Sequence, residues 1–223
     1  LTILPDPILI GKYSEVLKKG QFINGIFNSL KVAIPVLIIG GFTSSLAAFG
    51  FAKMRFRGKN ALFLALLATI MIPFAVVMIP QYVMFTKLGW TNTLLPLIIP
   101  GCFGNVSIIF FLRQNLIGIP DDLMEAAKLD GASGVKAARY ITIPLVKPML
   151  RTCAIFVVIG SLKAFDMIYV LTNGGPVHMT EVPSSLMFSS IFNLNKYGYG
   201  SAISIFIVVE CIVMAVILQK VFR

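Results

Sequence analysis

The chain has 223 residues, 57% of them hydrophobic and only 13% charged, with a mean hydropathy of +0.90. Soluble domains carry about 25% charged residues, so this composition excludes a water-soluble domain and makes the bilayer the solvent. The 19 Lys and Arg against 9 Asp and Glu leave a net +10. The basic residues sit between apolar blocks, which sets membrane insertion ahead of nucleic-acid binding.

In chain order, residues 1–30 read as an extracytoplasmic lead-in. A membrane helix needs about 20 mainly apolar residues to cross roughly 30 Å of hydrocarbon. Five stretches meet that need, at about 31–52, 60–87, 93–113, 149–171 and 200–220. No charge falls between Lys31 and Lys53 or between Lys59 and Lys87, and the third stretch starts after the Gly89-Trp90-Thr91-Asn92 break. The last two stretches contain ionisable residues. The expected fold is all-α, a polytopic transmembrane helical bundle. Cys102, Cys153 and Cys211 lie in apolar stretches and read as small core residues, neither disulfides nor metal ligands. His178 is the only histidine, and no nucleophile, base and carboxylate set appears, so no catalytic residue and no metal site are expected.

The loops set the orientation. Lys53, Arg55, Arg57, Lys59, Arg113, Lys128, Lys136, Arg139, Lys147, Arg151, Lys220 and Arg223 fall on one side and should face the cytoplasm. Lys12, Lys18, Lys19, Lys31, Lys87 and Lys196 fall on the other. Leu1 is then outside, which with five spans and no visible signal peptide implies at least one span upstream of the sequence in hand.

Between the third and fourth stretches lies the one substantial polar segment, 114–147. Pro120 followed by Asp121 and Asp122 starts a helix with carboxylates at its positive end. Leu123, Ala126, Ala127 and Leu129 form a small-residue apolar face, and Gly131 supplies a left-handed stop. A second short helix is expected over 133–140, ending before Pro144.

Glu125-Ala126-Ala127, then Gly131, Ile141 and Ile143-Pro144, resembles the EAA loop of binding-protein-dependent ABC importer permeases, EAA-x3-G-x9-I-x-L-P, departing only at Ile143. The 47–58 stretch and Met71-Ile72-Pro73 through Ile79-Pro80 resemble the MalG-like half of the carbohydrate subfamily. Phe165-Asp166 and 171–176 are similar to the MalF-like half. The MalG-like features cover more of the chain. The resemblance implies the type I ABC importer permease fold, with Glu125, Ala126, Ala127, Asp130, Gly131, Ile141 and Pro144 coupling the chain to an ATPase. It further implies a second homologous permease subunit, two ATPase subunits, an extracytoplasmic solute-binding protein and a bacterial or archaeal cytoplasmic membrane. The solute would be a carbohydrate, an oligosaccharide in the first instance, with a polyol or glycerol phosphate as the alternative solute. A secondary carrier needing no ATPase is the alternative of another class. No G-x-x-x-x-G-K-[ST] string occurs, so no cofactor is expected in this chain, and ATP and Mg belong to the partner ATPase.

Ionisable and polar side chains within spans face a partner or a watery path. Gln81, Asp166, Tyr169, Asn173 and Glu210 are the candidate path residues. Lys163 and Asp166, three apart, would share a helical face as a structural ion pair, or else Asp166 lines the path with Tyr169 and Asn173. Glu210 would complete that wall or bind the partner permease. Residues 173–195, with Gly174, Gly175, Pro176 and Pro183, form the long outer connection expected to touch the binding protein.

Overall fold

A computed structural model describes residues 11–132, 134–172, 174–175 and 178–222, with only the backbone of Asp121 described. Among the described residues there are helices and no strands. They are α1 (Gly11–Lys18), α2 (Gly20–Lys53), α3 (Lys59–Met71), α4 (Phe74–Lys87), α5 (Leu95–Cys102), α6 (Val106–Ile117) and α7 (Asp121–Leu129). They continue with α8 (residues 135–162), α9 (Asp166–Leu171), α10 (residues 183–193) and α11 (Tyr197–Val221). Four helical runs are long and apolar enough to cross a membrane: α2, α5 with α6, α8 with α9, and α11. The α3 and α4 pair makes a fifth only if counted as one bent span.

Three boundaries differ from the sequence reading. The lead-in is helical well before Lys31, because α2 starts at Gly20 and buries Asn28 and Ser29. The charge-free stretch 60–87 is two helices bent by 94° at Ile72-Pro73. The ring of Pro73 forces its predecessor out of the helical region, and Ile72 is extended at φ −78°, ψ 115°. The second loop helix does not stop before Pro144. It continues from 135 to 162 through a π turn over Ala138–Thr142, whose wider hydrogen bonds shift the partners upstream of a proline that has no N–H to give.

The chain divides into two compact units. One holds residues up to Ile34, Pro80–Ile98 and Val158–Ala215. In it, Phe22, Val16, Leu162, Ile168 and Ile203 are buried, and the Phe206 ring meets Tyr13 and Phe22. The Asn28 amide donates to the carbonyls of Met179 and Glu181 at 2.8 and 2.9 Å, tying the connection after α9 to α2. Gly25 admits Val182 and Pro183 against its backbone.

The other unit holds Pro35–Ile79, Ile99–Val157 and the residues from Val216. Its core is Ala48, Phe63, Ile108, Ile109, Leu112, Leu116, Ile119, Val146 and Cys153. α2 and α5 cross here at two glycines: a Cβ on Gly40 would strike the Gly101 carbonyl, and one on Gly101 would strike Val36. Small residues allow this backbone approach, the contact that membrane helices use in place of a hydrophobic drive. The chain then breaks at 103–105, where Thr43 donates to the Cys102 carbonyl (2.8 Å) and Ser44 accepts from the Asn105 N–H (3.0 Å). Asn105 caps α6, its side chain accepting from the Ser107 and Ile108 N–H groups.

Gly40→Ala is therefore expected to destabilise the purified protein by about 1–3 kcal/mol, the usual range for overpacking, seen as a lower midpoint in a detergent thermal melt. Gly41→Ala, whose added Cβ meets nothing within 4 Å, should leave the midpoint unchanged. Equal midpoints for the two variants would refute the crossing.

Candidate functional site

The polar segment between α6 and α8 is built around α7. Pro120 (φ −57°, ψ 138°) stands at its entry, where a proline loses no hydrogen bond. At the exit, the Gly131 N–H donates to Lys128 (3.1 Å) and the Ala132 N–H to Ala127 (2.8 Å). This is a Schellman ending, with Gly131 in the left-handed region at φ 75°. Glu125, Ala126 and Asp130 are exposed, while Ala127 is buried and the Thr142 hydroxyl reaches the Met124 sulfur at 4.0 Å. α7 is thus seated on the start of α8 by one face and free on the other. The free side is apolar as well as charged, with Leu129 89% exposed and Leu123 also open, and at the start of α8 Val135, 83% exposed, and Tyr140 are open too. Ile141 is half-buried and Pro144 exposed. A solvated loop has no reason to hold its apolar side chains out in this way, whereas a helix seated in a partner's cleft does.

Among the candidate path residues, the structure joins two. Asp166 and Tyr169 lie one turn apart on α9, both exposed, and Tyr169 belongs to an aromatic cluster that the sequence reading did not single out. Its ring is 5.3 Å from Phe165 and 5.0 Å from Phe188, and Phe188 is 4.7 Å from Phe192. The i, i+4 spacing of Phe165 with Tyr169 and of Phe188 with Phe192 was the available signal. A cleft of about 310 Å³ is lined by Lys163, Phe165, Ser184, Met187, Phe188, Ser204 and Ile207.

The helix breaks between Lys163 and Asp166, so the expected shared helical face does not exist, and no ion pair joins them among the described residues. The Ser184 hydroxyl donates to the freed Ala164 carbonyl at 2.5 Å. Gln81 and Glu210 stand apart from the aromatic cluster. Each is half-buried, with Gln81 Oε1 and both Glu210 carboxyl oxygens covered and unpartnered among the described residues. Asn173 lies outside the described residues.

The connection after α9 holds a second polar contact. His178 Nδ1 is 2.6 Å from Glu181 Oε2, and His178 takes the left-handed φ of 61° to reach it. The Thr180 hydroxyl donates to the Gly175 carbonyl at 2.6 Å. Burial raises the Glu181 carboxyl above its ordinary pKa, with His178 pulling the other way.

A run of membrane-length helices carrying a short amphipathic helix on a polar segment between two of them defines a multi-pass membrane protein. The chain belongs to the family described as binding-protein-dependent transport system inner membrane component, whose model matches residues 26–223. It is 27% identical over 195 residues to the arabinooligosaccharides transport system permease protein AraQ of Halalkalibacterium halodurans, covering 87% of this chain and 69% of that one. It is 46% identical over 112 residues to the trehalose/maltose transport system permease protein MalF of Thermococcus litoralis, covering 50% of this chain and 38% of that one. A solved bacterial ABC transporter involved in the import of the acidic polysaccharide alginate matches the fold with a TM-score of 0.79. That match has 21% identity and covers 99% of this chain and 82% of that one. The type I permease fold expected from the EAA-like segment is thus borne out, as is the resemblance to carbohydrate ABC importer permeases.

Because the folded loop binds the Glu181 proton more tightly than an unfolded loop does, its stability is full below the ordinary carboxylate pKa of 4.5 and declines as pH rises through the raised value. Limited proteolysis of the 174–182 connection should therefore speed up from pH 5 to pH 8 relative to Glu181→Gln, which removes the titration. Parallel cleavage profiles for the two proteins would contradict the assignment.

Proposed function

We propose that this chain is the membrane-spanning permease subunit of an ATP-driven, binding-protein-dependent importer of a carbohydrate, specifically an oligosaccharide. The observation that carries the reading is α7: exposed Glu125 and Ala126 on a helix that buries Ala127 and is closed by a left-handed Gly131, with Leu123 and Leu129 held outward between two spans. Two ATPase subunits receive this helix and its counterpart on a second, homologous permease. Small Ala126 lets the backbone approach, and Glu125 offers a charge-assisted bond to a basic partner. Asp130, Ile141 and Pro144 shape the segment that transmits the movement. ATP and Mg sit in the ATPase subunits, and this chain performs no chemistry on them. Closure of the ATPase pair switches the path between inward-open and outward-open states.

On the path side, aromatic faces suit the C–H faces of sugar rings and a carboxylate suits their hydroxyls. Tyr169, Phe188 and Phe192 with Asp166 supply that combination on one exposed cluster. Gln81 and Glu210, with polar atoms still to be satisfied, face a second permease or water during the cycle. The 173–195 connection, tied to Asn28 and presenting an exposed Met179, faces the extracytoplasmic binding protein. The whole assembly resides in the cytoplasmic membrane of a bacterium or archaeon.

In the assembled transporter, Gly131→Val should leave the helical content unchanged while stimulated ATP hydrolysis falls at least about tenfold, since a β-branched residue cannot hold φ 75°. Survival of both hydrolysis and ATPase association would sink the docking role. Tyr169→Ala should raise the apparent KM for the transported saccharide by about two- to tenfold, the loss of one aromatic contact of about 0.5–1.5 kcal/mol, with basal hydrolysis intact. An unchanged KM places the path elsewhere.

A further inference from the structure

The turn between α2 and α3 carries Lys53, Arg55, Arg57 and Lys59, in a chain with no acidic residue between Glu15 and Asp121. Two of these charges are directed inward, Lys53 onto the chain after α6 and Lys59 onto the end of α2. The Lys53 ammonium donates to the Ile119 carbonyl at 2.9 Å, and that of Lys59 to the Ala52 and Met54 carbonyls at 3.1 Å each. Arg113 adds a third, its Nε donating to Phe51 at 3.1 Å with the guanidinium over the Phe63 ring. The carbonyls at the negative end of the helix are therefore already supplied with cations.

Arg55 and Arg57 have no such task. Both are exposed, and neither has a hydrogen bond or ion pair among the described residues. Between them stands Phe56, 43% exposed, its ring leaning on Phe51 at 6.0 Å, and Met54 beside it is open as well. An open cleft of about 390 Å³ is lined by Arg55, Phe56, Gly58, Lys59, Asn60 and Ala61. The next turn of α3 exposes Leu62 and Leu64.

We propose that this turn is a binding site for an anionic phospholipid. α2 has spanning length and ends at Lys53, so the turn stands at the level of the headgroups. Two planar guanidiniums grip a phosphodiester in bidentate fashion. The phenyl ring of Phe56 sits at the boundary between headgroup and acyl chain, and Leu62 and Leu64 offer the surface along which an acyl chain lies. A soluble anion would use the guanidiniums alone and leave the apolar rim wet. An acidic protein surface would leave the membrane-side leucines unused. The amphiphile uses all of them.

The test is a titration of the purified protein in mild detergent with phosphatidylglycerol and, separately, phosphatidylcholine, counting retained lipids by native mass spectrometry. The wild-type protein should retain phosphatidylglycerol in preference to phosphatidylcholine. Arg55→Gln combined with Arg57→Gln should weaken phosphatidylglycerol retention by roughly thirtyfold, two interfacial charges at about a fivefold each. Lys87→Gln combined with Lys196→Gln, two exposed charges elsewhere, should leave it unchanged. Equal retention of the two lipids by the wild-type protein would overturn the proposal whatever the variants do. So would full phosphatidylglycerol retention in the Arg55/Arg57 variant. If that variant keeps the lipid but loses a co-purifying ATPase, the turn is a protein-docking surface instead.

Discussion

In hydrocarbon there is no water to pair a backbone N–H or C=O, and each one left open costs several kcal/mol. A membrane helix that breaks must therefore find partners for the groups it frees, and this chain breaks its helices repeatedly. Each break with described partners is served by side chains placed for it. Thr43 and Ser44 serve the 103–105 break, with Asn105 capping the helix that resumes. Ser184 serves the carbonyl of Ala164 at the next. The π turn over Ala138–Thr142 carries the helix past Pro144, the Ile143 N–H donating to the Ala138 carbonyl. The Gly40 and Gly101 crossing belongs to the same solution, since only glycines bring α2 near enough for its hydroxyls to reach the broken segment.

Charge is arranged under the same constraint. Lys59 and Arg113 supply the carbonyl end of α2, where the macrodipole is negative and the helix has run out of internal donors, while Lys53 donates to the Ile119 carbonyl after α6. The buried polar amide of Asn28 is satisfied by two carbonyls of a distant connection, which turns a costly group into a tether. By contrast, the exposed Lys163 and Asp166 flank a break, and the covered oxygens of Glu210 have no partner in the described chain. Polar groups that serve structure are paired within the chain.

The two functional regions follow from different local physics. α7 is legible residue by residue: a proline entry, carboxylates at the positive end, a small buried Ala127 beside an exposed Ala126 and a glycine at the exit each follow a local rule. The aromatic cluster has no such local logic. Phe165 and Phe188 come from separate helices, and their 4.8 Å approach depends on how the connection between them folds back against α2.

The sequence by itself determined the solvent, the helical class, the family and the short helix of the polar segment with its stopping glycine. The family rests on a motif resemblance, and the others on composition, on stretches free of charge and on short-range backbone rules, none of which needs a distant residue. Tertiary structure alone decided where helices break and what the polar residues do. A charge-free run from Lys59 to Lys87 scores as one span, yet Pro73 bends it, because a proline's effect depends on whether its surroundings can absorb the missing hydrogen bond. Pro144 shows the opposite outcome, absorbed by a π turn that no residue count reveals. Lys163 and Asp166 are three apart, but the break between them removes the helical geometry that would have made them neighbours on one face. Helical spacing predicts contact only where the helix persists, and in a membrane that persistence is settled by whichever distant side chain reaches the opened backbone.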